Sequence, residues 1–286
     1  MKPLIDCSVA VVGLGLMGGS LAGALRGRCA EVVGVDRDAA AVAAAIDRGF
    51  IDRGTVDTFG SVGEADITVL ATPVRTIVRL LGEIGPRMRD GALLMDLGST
   101  KARILEAMAV LPDHVQPLGG HPMCGKEVSG LEAADTALFQ GRTFILSPLP
   151  RTSPEALDLG ASLAYAVGAL PLVVDAERQD YLVGTLSHLP YLLACSLVST
   201  ADATTSSDPL VWQILAGGFR DTSRVAGSDV TMMLDILLTN RDEISKAARF
   251  CVGRLEHLIR LVEAGDEERL RSELSHIRQT RKEMYP

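Results

Sequence analysis

A glycine-rich turn between an apolar run and an Ala/Leu-rich segment constrains this chain most. Val9–Val12 is apolar, and Gly13, Gly15 and Gly18 follow in a GxGxxG spacing before the segment 20–25. This order of strand, turn and helix is the dinucleotide-binding fingerprint, whose glycines permit a tight turn, admit a pyrophosphate and let the helix pack on the strand. The free N–H groups of the helix then face the phosphates. A glycine turn without a cofactor is the alternative interpretation.

An acidic residue after the next candidate strand supports a dinucleotide site. Residues 31–35 are apolar enough for a strand, and Asp36 stands at its end. A carboxylate there accepts hydrogen bonds from the adenosine ribose and repels a 2′-phosphate, so we expect NAD. The adjacent Arg37 could tolerate that phosphate, which makes NAD a preference. The candidate cofactor-binding residues are Gly13, Gly15, Leu16, Met17, Gly18, Asp36, Arg37, Ala71, Thr72, Pro73 and Val74.

Composition excludes several classes of protein. The 286 residues are 47% hydrophobic and only 4% aromatic, with a net charge of −8 and no basic run. These values suit two domains with a core and argue against nucleic-acid or anionic-membrane partners. Five cysteines without a CxxC motif are typical of the reducing cytoplasm. We find no metal-ligand spacing, no signal-peptide pattern and no uninterrupted apolar run near roughly 18 residues.

The chain changes pattern near residue 175. Before it, candidate strands at 8–12, 31–35, 66–71, 91–96, 115–118, 142–147 and 170–174 alternate with candidate helices at 17–27, 38–48, 74–84, 100–110 and 154–167. This alternation predicts a Rossmann-type doubly wound, mostly parallel α/β sheet in a dinucleotide-binding domain, 1–175. Afterwards apolar residues recur at helical steps, namely Ile244, Ala247, Cys251, Leu255, Leu258 and Val262. We therefore expect an all-α substrate and dimerisation domain, 176–286, that packs on a second copy.

Polar and glycine-rich segments follow five successive candidate strands of the first half, at the edge where α/β sheets bind ligands. His121 lies in one of them, between glycines and a proline, and its ordinary pKa of about 6.5 suits a general base. Ser99 lies in another; it could hold the imidazole or a substrate hydroxyl, or cap the helix that we expect from Thr100.

The helical half contributes two further candidates. His188 lies beside Pro190, which should kink the helix, and it is either a site residue or a core histidine. Arg224 follows a Gly-Gly-Phe segment and could grip a carboxylate, while a surface ion pair with Asp221 is an equal alternative.

Taken together, these segments resemble the prephenate/arogenate (cyclohexadienyl) dehydrogenase family of tyrosine biosynthesis. The glycine loop is generic, but the later elements are specific and occur in the family's order over most of the chain. The matching segments are Gly13 to Ser20, Ala71 to Val74, Asp96 to Lys101, Gly120 to Met123 with Gly125, Ser187 to Pro190, and Gly217 to Asp221 with Arg224.

The resemblance implies the oxidative decarboxylation of prephenate or arogenate, with hydride transfer from the ring carbon that bears the hydroxyl to NAD. By resemblance, His121 accepts the hydroxyl proton or its hydrogen bond, and Ser99 orients the hydroxyl and the nicotinamide. His188 would line the pocket, and Arg224 would bind the ring carboxylate.

Glu127 matches a family position associated with selectivity for the substrate side chain. It could pair with the amino group of arogenate or form a gating ion pair with Arg224, and Asp221 completes the candidate substrate-binding set. The chain departs from the family at Val230 and Met233, where many relatives carry Pro and Trp.

Two other functions remain open from the sequence. A β-hydroxyacid dehydrogenase or imine reductase would share the glycine loop and the helical half, but it places a lysine where residues 184–191 hold His188 and no lysine. A non-catalytic dinucleotide sensor would need no base such as His121.

Overall fold

An eight-stranded sheet with the order β3-β2-β1-β4-β5-β6-β7-β8 forms the first half of the protein. The computed structural model describes residues 1–205, 208, 210 and 213–284. Neighbouring strands are parallel except β6 and β7. The strands are β1 Ser8–Val12, β2 Glu31–Val35, β3 Arg53–Thr55, β4 Ile67–Leu70, β5 Leu93–Asp96, β6 Gln116–Pro122, β7 Thr143–Pro148 and β8 Leu170–Val173.

Helices cover both faces of this sheet and make up the second half of the described chain. Those of the first half are α1 Leu16–Leu25, α2 Ala39–Asp47, α3 Thr58–Glu64, α4 Val74–Ile84, α5 Ala102–Ala109 and α6 Pro154–Ala166. Those of the second half are α7 Ala176–Val183, α8 Leu189–Thr205, α9 Gly217–Ser223, α10 Val230–Thr239, α11 Arg241–Glu263 and α12 Glu267–Met284.

Two hydrophobic clusters, one on each face of the sheet, hold the first half together. Val9 and Val11 of β1 join the cluster that contains Leu21 of α1. Val12, which points to the opposite face, joins the cluster that contains Ile77 of α4. Burial on both faces explains why the strands are continuous apolar runs. The predicted doubly wound sheet with a helical second half is thereby confirmed.

The sequence missed two short elements. β3 spans three residues at the edge of the sheet, and α3 contains two glycines within seven residues, Thr58–Glu64. Neither is long enough to establish a hydrophobic period, and glycine weakens helix propensity. Asp57 nevertheless starts α3, since its carboxylate accepts hydrogen bonds from Phe59 N and Gly60 N.

The second half opens with a long apolar helix. Asp175 caps α7 by accepting a 2.8 Å hydrogen bond from Arg178 N. A π-helical turn, Gly184–His188, then joins α7 to α8, with Leu189 N donating to the carbonyl of Gly184. This wide turn replaces the simple kink expected at Pro190, which has no N–H to donate.

By length and composition that helix is apolar enough to cross a membrane. Within the 28 residues Ala176–Ala203 an 18-residue window has a mean hydropathy of 1.4, and 22% of that window is buried. The expectation that no such segment exists is wrong, because it considered only uninterrupted apolar runs. The helix carries buried Gln179, Asp180 and His188, which contact the rest of the protein.

Candidate active site

The glycine turn at the end of β1 has the geometry of a dinucleotide loop. Gly13 has a φ of 97°, which other residues rarely adopt. A side chain at Gly18 would lie 1.8 Å from the carbonyl oxygen of Gly13, so α1 packs on the turn only with glycine there. Gly15 caps α1 and faces open space. Gly15 therefore leaves the start of α1 open to a pyrophosphate, while the buried Gly13 and Gly18 shape the turn.

Polar groups beside this turn fit the rest of a dinucleotide. Asp36 accepts hydrogen bonds of 2.7 Å from Leu14 N and 3.0 Å from Asp38 N, which leaves lone pairs on both of its oxygens. In the segment after β4, the buried Thr72 Oγ1 has no hydrogen-bond partner within the described residues. A buried hydroxyl without a partner in the protein is available to form a hydrogen bond with a ligand. The donor and acceptor set thus fits NAD.

His121 lies near the end of β6, beyond the carboxyl ends of the parallel strands. It is half-buried, and its Nδ1 has no hydrogen-bond partner among the described residues. Burial, with the nearby Lys101 ammonium and His188 as further causes, lowers the pKa of His121 to about 3. The expected pKa near 6.5 is therefore wrong, because the imidazole is withdrawn from water beside a cation. At neutral pH His121 is uncharged and able to accept a hydrogen bond or a proton.

Ser99 is brought to the same place by the start of α5. Its carbonyl accepts a 3.4 Å hydrogen bond from Gln179 Nε2 of the helical half. The prediction that Ser99 caps the helix is wrong, because α5 begins at Ala102. Asp180 takes that role from the other half: its carboxylate accepts hydrogen bonds of 2.7 Å from Lys101 N and 2.9 Å from Ala102 N.

His188 is buried in the helical half and held by an amide. Asn240 Nδ2 lies 3.3 Å from His188 Nδ1 and donates a 2.8 Å hydrogen bond to the carbonyl of Asp180. The amide nitrogen therefore donates to Nδ1, which leaves Nε2 to carry the proton of a neutral ring. Burial lowers the pKa of His188 to about 4.

The sequence missed the buried groups that surround these two histidines: Asp180, Gln179 and Asn240 show no motif of their own. It also gave no role to Asp96 and Lys101, which form a fully buried ion pair beneath the site. The signal for that pair was present, since both residues lie in the glycine-containing segment after β5.

The candidate substrate-binding residues have exposed side chains. Arg224, at the start of a 3₁₀ turn, forms an ion pair with Glu127 from the loop after β6. Arg220 pairs instead with Asp221 at 3.6 Å. The alternative in which Arg224 pairs with Asp221 is therefore wrong, whereas its pairing with Glu127 matches the other alternative.

Family models match most of the chain. Residues 21–171 match the model described as prephenate dehydrogenase, nucleotide-binding domain, and residues 175–276 match prephenate dehydrogenase, dimerization domain. The chain is 34% identical over 269 residues to the prephenate dehydrogenase of Bacillus subtilis, covering 92% of this chain and 72% of that protein.

The chain belongs to the prephenate dehydrogenase family.

Solved structures of the prephenate dehydrogenase family have the same architecture. Prephenate dehydrogenase from Aquifex aeolicus, in complex with hydroxyphenyl propionate and NAD⁺, superposes with a TM-score of 0.92 at 32% identity, covering 99% of this chain and 100% of that one. Synechocystis arogenate dehydrogenase gives 0.85 at 29% identity, covering 97% and 99%. Membership confirms the predicted NAD-linked dehydrogenase. A 3-hydroxyisobutyrate dehydrogenase from Mycobacterium tuberculosis shares only the fold, at 17% identity and a TM-score of 0.60.

Proposed function

We propose that this protein catalyses the oxidative decarboxylation of a cyclohexadienyl acid, prephenate or arogenate, in tyrosine biosynthesis. The ring carbon that bears the hydroxyl loses a hydride, and the ring carboxylate leaves as carbon dioxide while its bonding electrons complete the aromatic ring. NAD, when bound, supplies the hydride acceptor. The chain must position the substrate, hold the hydroxyl proton and bind two carboxylates.

One observation carries this proposal. His121 is a neutral imidazole with an unpaired, buried Nδ1, and it lies at the sheet edge that also carries the dinucleotide loop. A neutral imidazole accepts the hydroxyl proton as the carbonyl forms, and the proton can return to the phenolate oxygen after decarboxylation. A pKa of about 3 makes His121 a weak base in the free protein, so we infer that it acts chiefly through a hydrogen bond aligned with the substrate hydroxyl.

Of the other candidate site residues, Ser99 and His188 would contact the reacting part of the substrate, and Arg224 and Asp221 would serve its ring carboxylate. Ser99 would orient the substrate hydroxyl against the nicotinamide, and His188 would line the pocket from the helical half. Arg224 would bind the ring carboxylate and must first part from Glu127, with Asp221 setting the position of the neighbouring Arg220. A local cation is needed, because a net charge of −8 repels a dianion at long range.

Glu127 bears on the choice between the two substrates. If its carboxylate is released from Arg224 when substrate binds, it can accept a hydrogen bond from the amino group of arogenate. The same charge would disfavour the keto acid side chain of prephenate. Steady-state assays with two substrates and two cofactors test the proposal. We expect NADH formation with at least one cyclohexadienyl acid, while inactivity in all four combinations would contradict it.

We further propose a cytoplasmic homodimer. Within one chain the α11 face predicted from the sequence is covered only in part: Ile244 is buried, but Leu255 is 56% and Val262 is 64% exposed. A second copy would remove this apolar surface from water. The boundary between the two domains, at residues 175 and 176, is part of this proposal. The five free cysteines support the reducing cytoplasm as the compartment. Sedimentation that shows an active monomer at assay concentration would contradict the dimer.

A further inference from the structure

The most unusual feature outside the proposed chemistry is the buried ion pair of Asp96 and Lys101. Both side chains are 0% exposed, and Lys101 Nζ contacts Asp96 Oδ2 directly. Because neither side chain has any solvent-accessible surface, neither Asp96 nor Lys101 can contact a ligand that arrives from solvent. Replacing such pairs with apolar residues is often neutral or stabilising, so stability alone is a weak reason for keeping charges in a core.

Asp96 holds the two segments that carry the candidate catalytic residues. Its Oδ2 accepts a 2.7 Å hydrogen bond from Gly98 N, and its Oδ1 accepts a 3.1 Å hydrogen bond from Gly120 N. Gly98 precedes Ser99, and Gly120 precedes His121. One carboxylate therefore fixes the backbone immediately before both residues.

The backbone around this pair is shaped to admit it. A Cβ at Gly120 would lie 2.4 Å from the backbone oxygen of Asp96, and one at Gly119 would lie 3.2 Å from Lys101 Cδ. Strand β6 lies this close to the backbone of Asp96 only because position 120 has no side chain, whereas a Cβ at Gly119 would first meet Leu105 Cδ1, at 2.6 Å. Gly120, directly before His121, thus serves close packing on Asp96.

The helical half anchors the same pair. Asp180 of α7 accepts a hydrogen bond from Lys101 N, and Gln179 Nε2 bridges from Asp180 Oδ1, at 2.9 Å, to the carbonyl of Ser99. Through Asn240, the backbone of Asp180 also connects to His188. Contacts therefore run without a gap from His188 to His121, across the boundary between the two halves.

We propose that Asp96 and Lys101 are positioning residues, which together with Asp180 set Ser99 and His121 in register with the helical half. This inference rests on the proposed role of His121. The pair acts by geometry through the backbone of Gly98 and Gly120, and by charge, because Lys101 and His188 are the titratable groups that act on the imidazole. Asp96 and Asp180 in turn hold Lys101 in place.

The test replaces the ion pair with a neutral, hydrogen-bonding pair, Asp96→Asn with Lys101→Gln. We expect kcat to fall about tenfold or more, because misplacing reacting groups by about 1 Å costs up to about 10²-fold. The KM values for substrate and NAD should stay within about threefold. An unchanged kcat in the folded double variant, or a rise in KM with kcat retained, would overturn the proposal.

A second readout needs no substrate. The NMR titration of the His121 ring in the free protein, assigned with His121→Asn, should move to higher pH by about one unit when the Lys101 charge is removed. An unmoved midpoint would overturn the electrostatic part. Because this titration is independent of turnover, inactivity of the wild type toward prephenate would disprove the proposed function without deciding this inference.

A matched control comes from the other carboxylate that caps a helix across the two halves. Asp235 of α10 accepts a 3.1 Å hydrogen bond from Arg75 N at the start of α4 and pairs with the Arg75 side chain. Asp180→Asn and Asp235→Asn each remove one charge at such a cap. We expect both to lower the melting temperature but only Asp180→Asn to lower kcat, by about threefold or more. Equal kcat values in these two variants would overturn the proposal. This comparison remains decisive even if the double variant does not fold.

Discussion

The two walls of the proposed site differ in how firmly they are held. On one wall His188, Asp180, Asn240, Asp96 and Lys101 are all buried, and each is fixed by a hydrogen bond or an ion pair. On the other wall Arg224 is 60% and Glu127 is 44% exposed, and a single ion pair joins them. The first wall is fixed before a ligand arrives, whereas the second can exchange partners.

This difference follows from where charge is needed. Hydride transfer requires a fixed geometry, which buried and fully paired groups provide. Recognition of a soluble dianion requires a cation that water and salt can reach, and exposed ion pairs contribute little to stability. Arg224 can therefore leave Glu127 for a substrate carboxylate at small cost. The walls should respond differently to substitution.

The largest effect should come from His121, which the buried wall holds in place through the hydrogen bond from Gly120 N to Asp96. His121→Asn removes the proton acceptor, and such a loss typically lowers the rate by about 10²–10⁴. We expect kcat to fall within that range while substrate KM changes little. Initial rates of NADH formation measure both constants, and His114→Asn, a residue outside the site, serves as the control. A kcat near that of the wild type would rule out the role.

The exposed wall should show the opposite kinetic signature. Arg224→Ala removes a charge-assisted hydrogen bond worth about 1.5–3 kcal/mol, so substrate KM should rise about 10-fold to 100-fold. The KM for NAD and most of kcat should be retained. Arg220→Ala is the matched control, because Arg220 pairs with Asp221 instead of Glu127. A weaker affinity for NAD with an unchanged substrate KM would show that Arg224 belongs elsewhere.

The buried wall should also make the protein sensitive to acid. Burial lowers the pKa of His188 to about 4, below the value of about 6.5 expected in the unfolded chain. The unfolded state therefore binds the proton first, and stability is full above pH 6.5 and lost as the pH falls toward 4. We expect a loss of about 3 kcal/mol from this group between pH 7 and pH 4, and urea denaturation should show less acid sensitivity in His188→Asn. An identical pH dependence in both proteins would contradict this account.

The smallest effect should concern the cofactor. Asp36→Ser removes the carboxylate that repels a 2′-phosphate, so the preference for NAD over NADP should narrow by about tenfold. The ratio of kcat/KM for the two cofactors measures this change. Asp38→Ser is the control, because Asp38 caps α2 through Ala40 N at 2.9 Å. A comparable kcat/KM for both cofactors in the wild type would refute the assignment.

The sequence predicted the fold well because the first half obeys strong local rules. Continuous apolar strands and the glycine turn each have a recognisable residue pattern. Edge strand β3 and helix α3 were too short to show one. The exposed face of α11 could not be judged either, since in the proposed homodimer its burial would come from a second copy and not from its own period.

The candidate site residues were found from motifs, whereas the buried groups that hold them were missed. His121, Ser99, His188 and Arg224 stand in segments that combine glycine or proline with polar residues. Asp180 and Asn240 act through contacts far apart in sequence: Asp180 and Lys101 are 79 positions apart. The pKa of His121 was missed for the same reason, because burial and the Lys101 charge arise only from the folded arrangement.

The site that the buried wall positions should support the oxidation of a cyclohexadienyl acid by NAD with loss of its ring carboxylate. The most direct test measures NADH and carbon dioxide together in one reaction with prephenate and NAD, repeated with arogenate. We expect equal amounts of both products with at least one substrate. The His121→Asn variant should form neither product on the same time scale. NADH without carbon dioxide, or no NADH from either substrate, would contradict it.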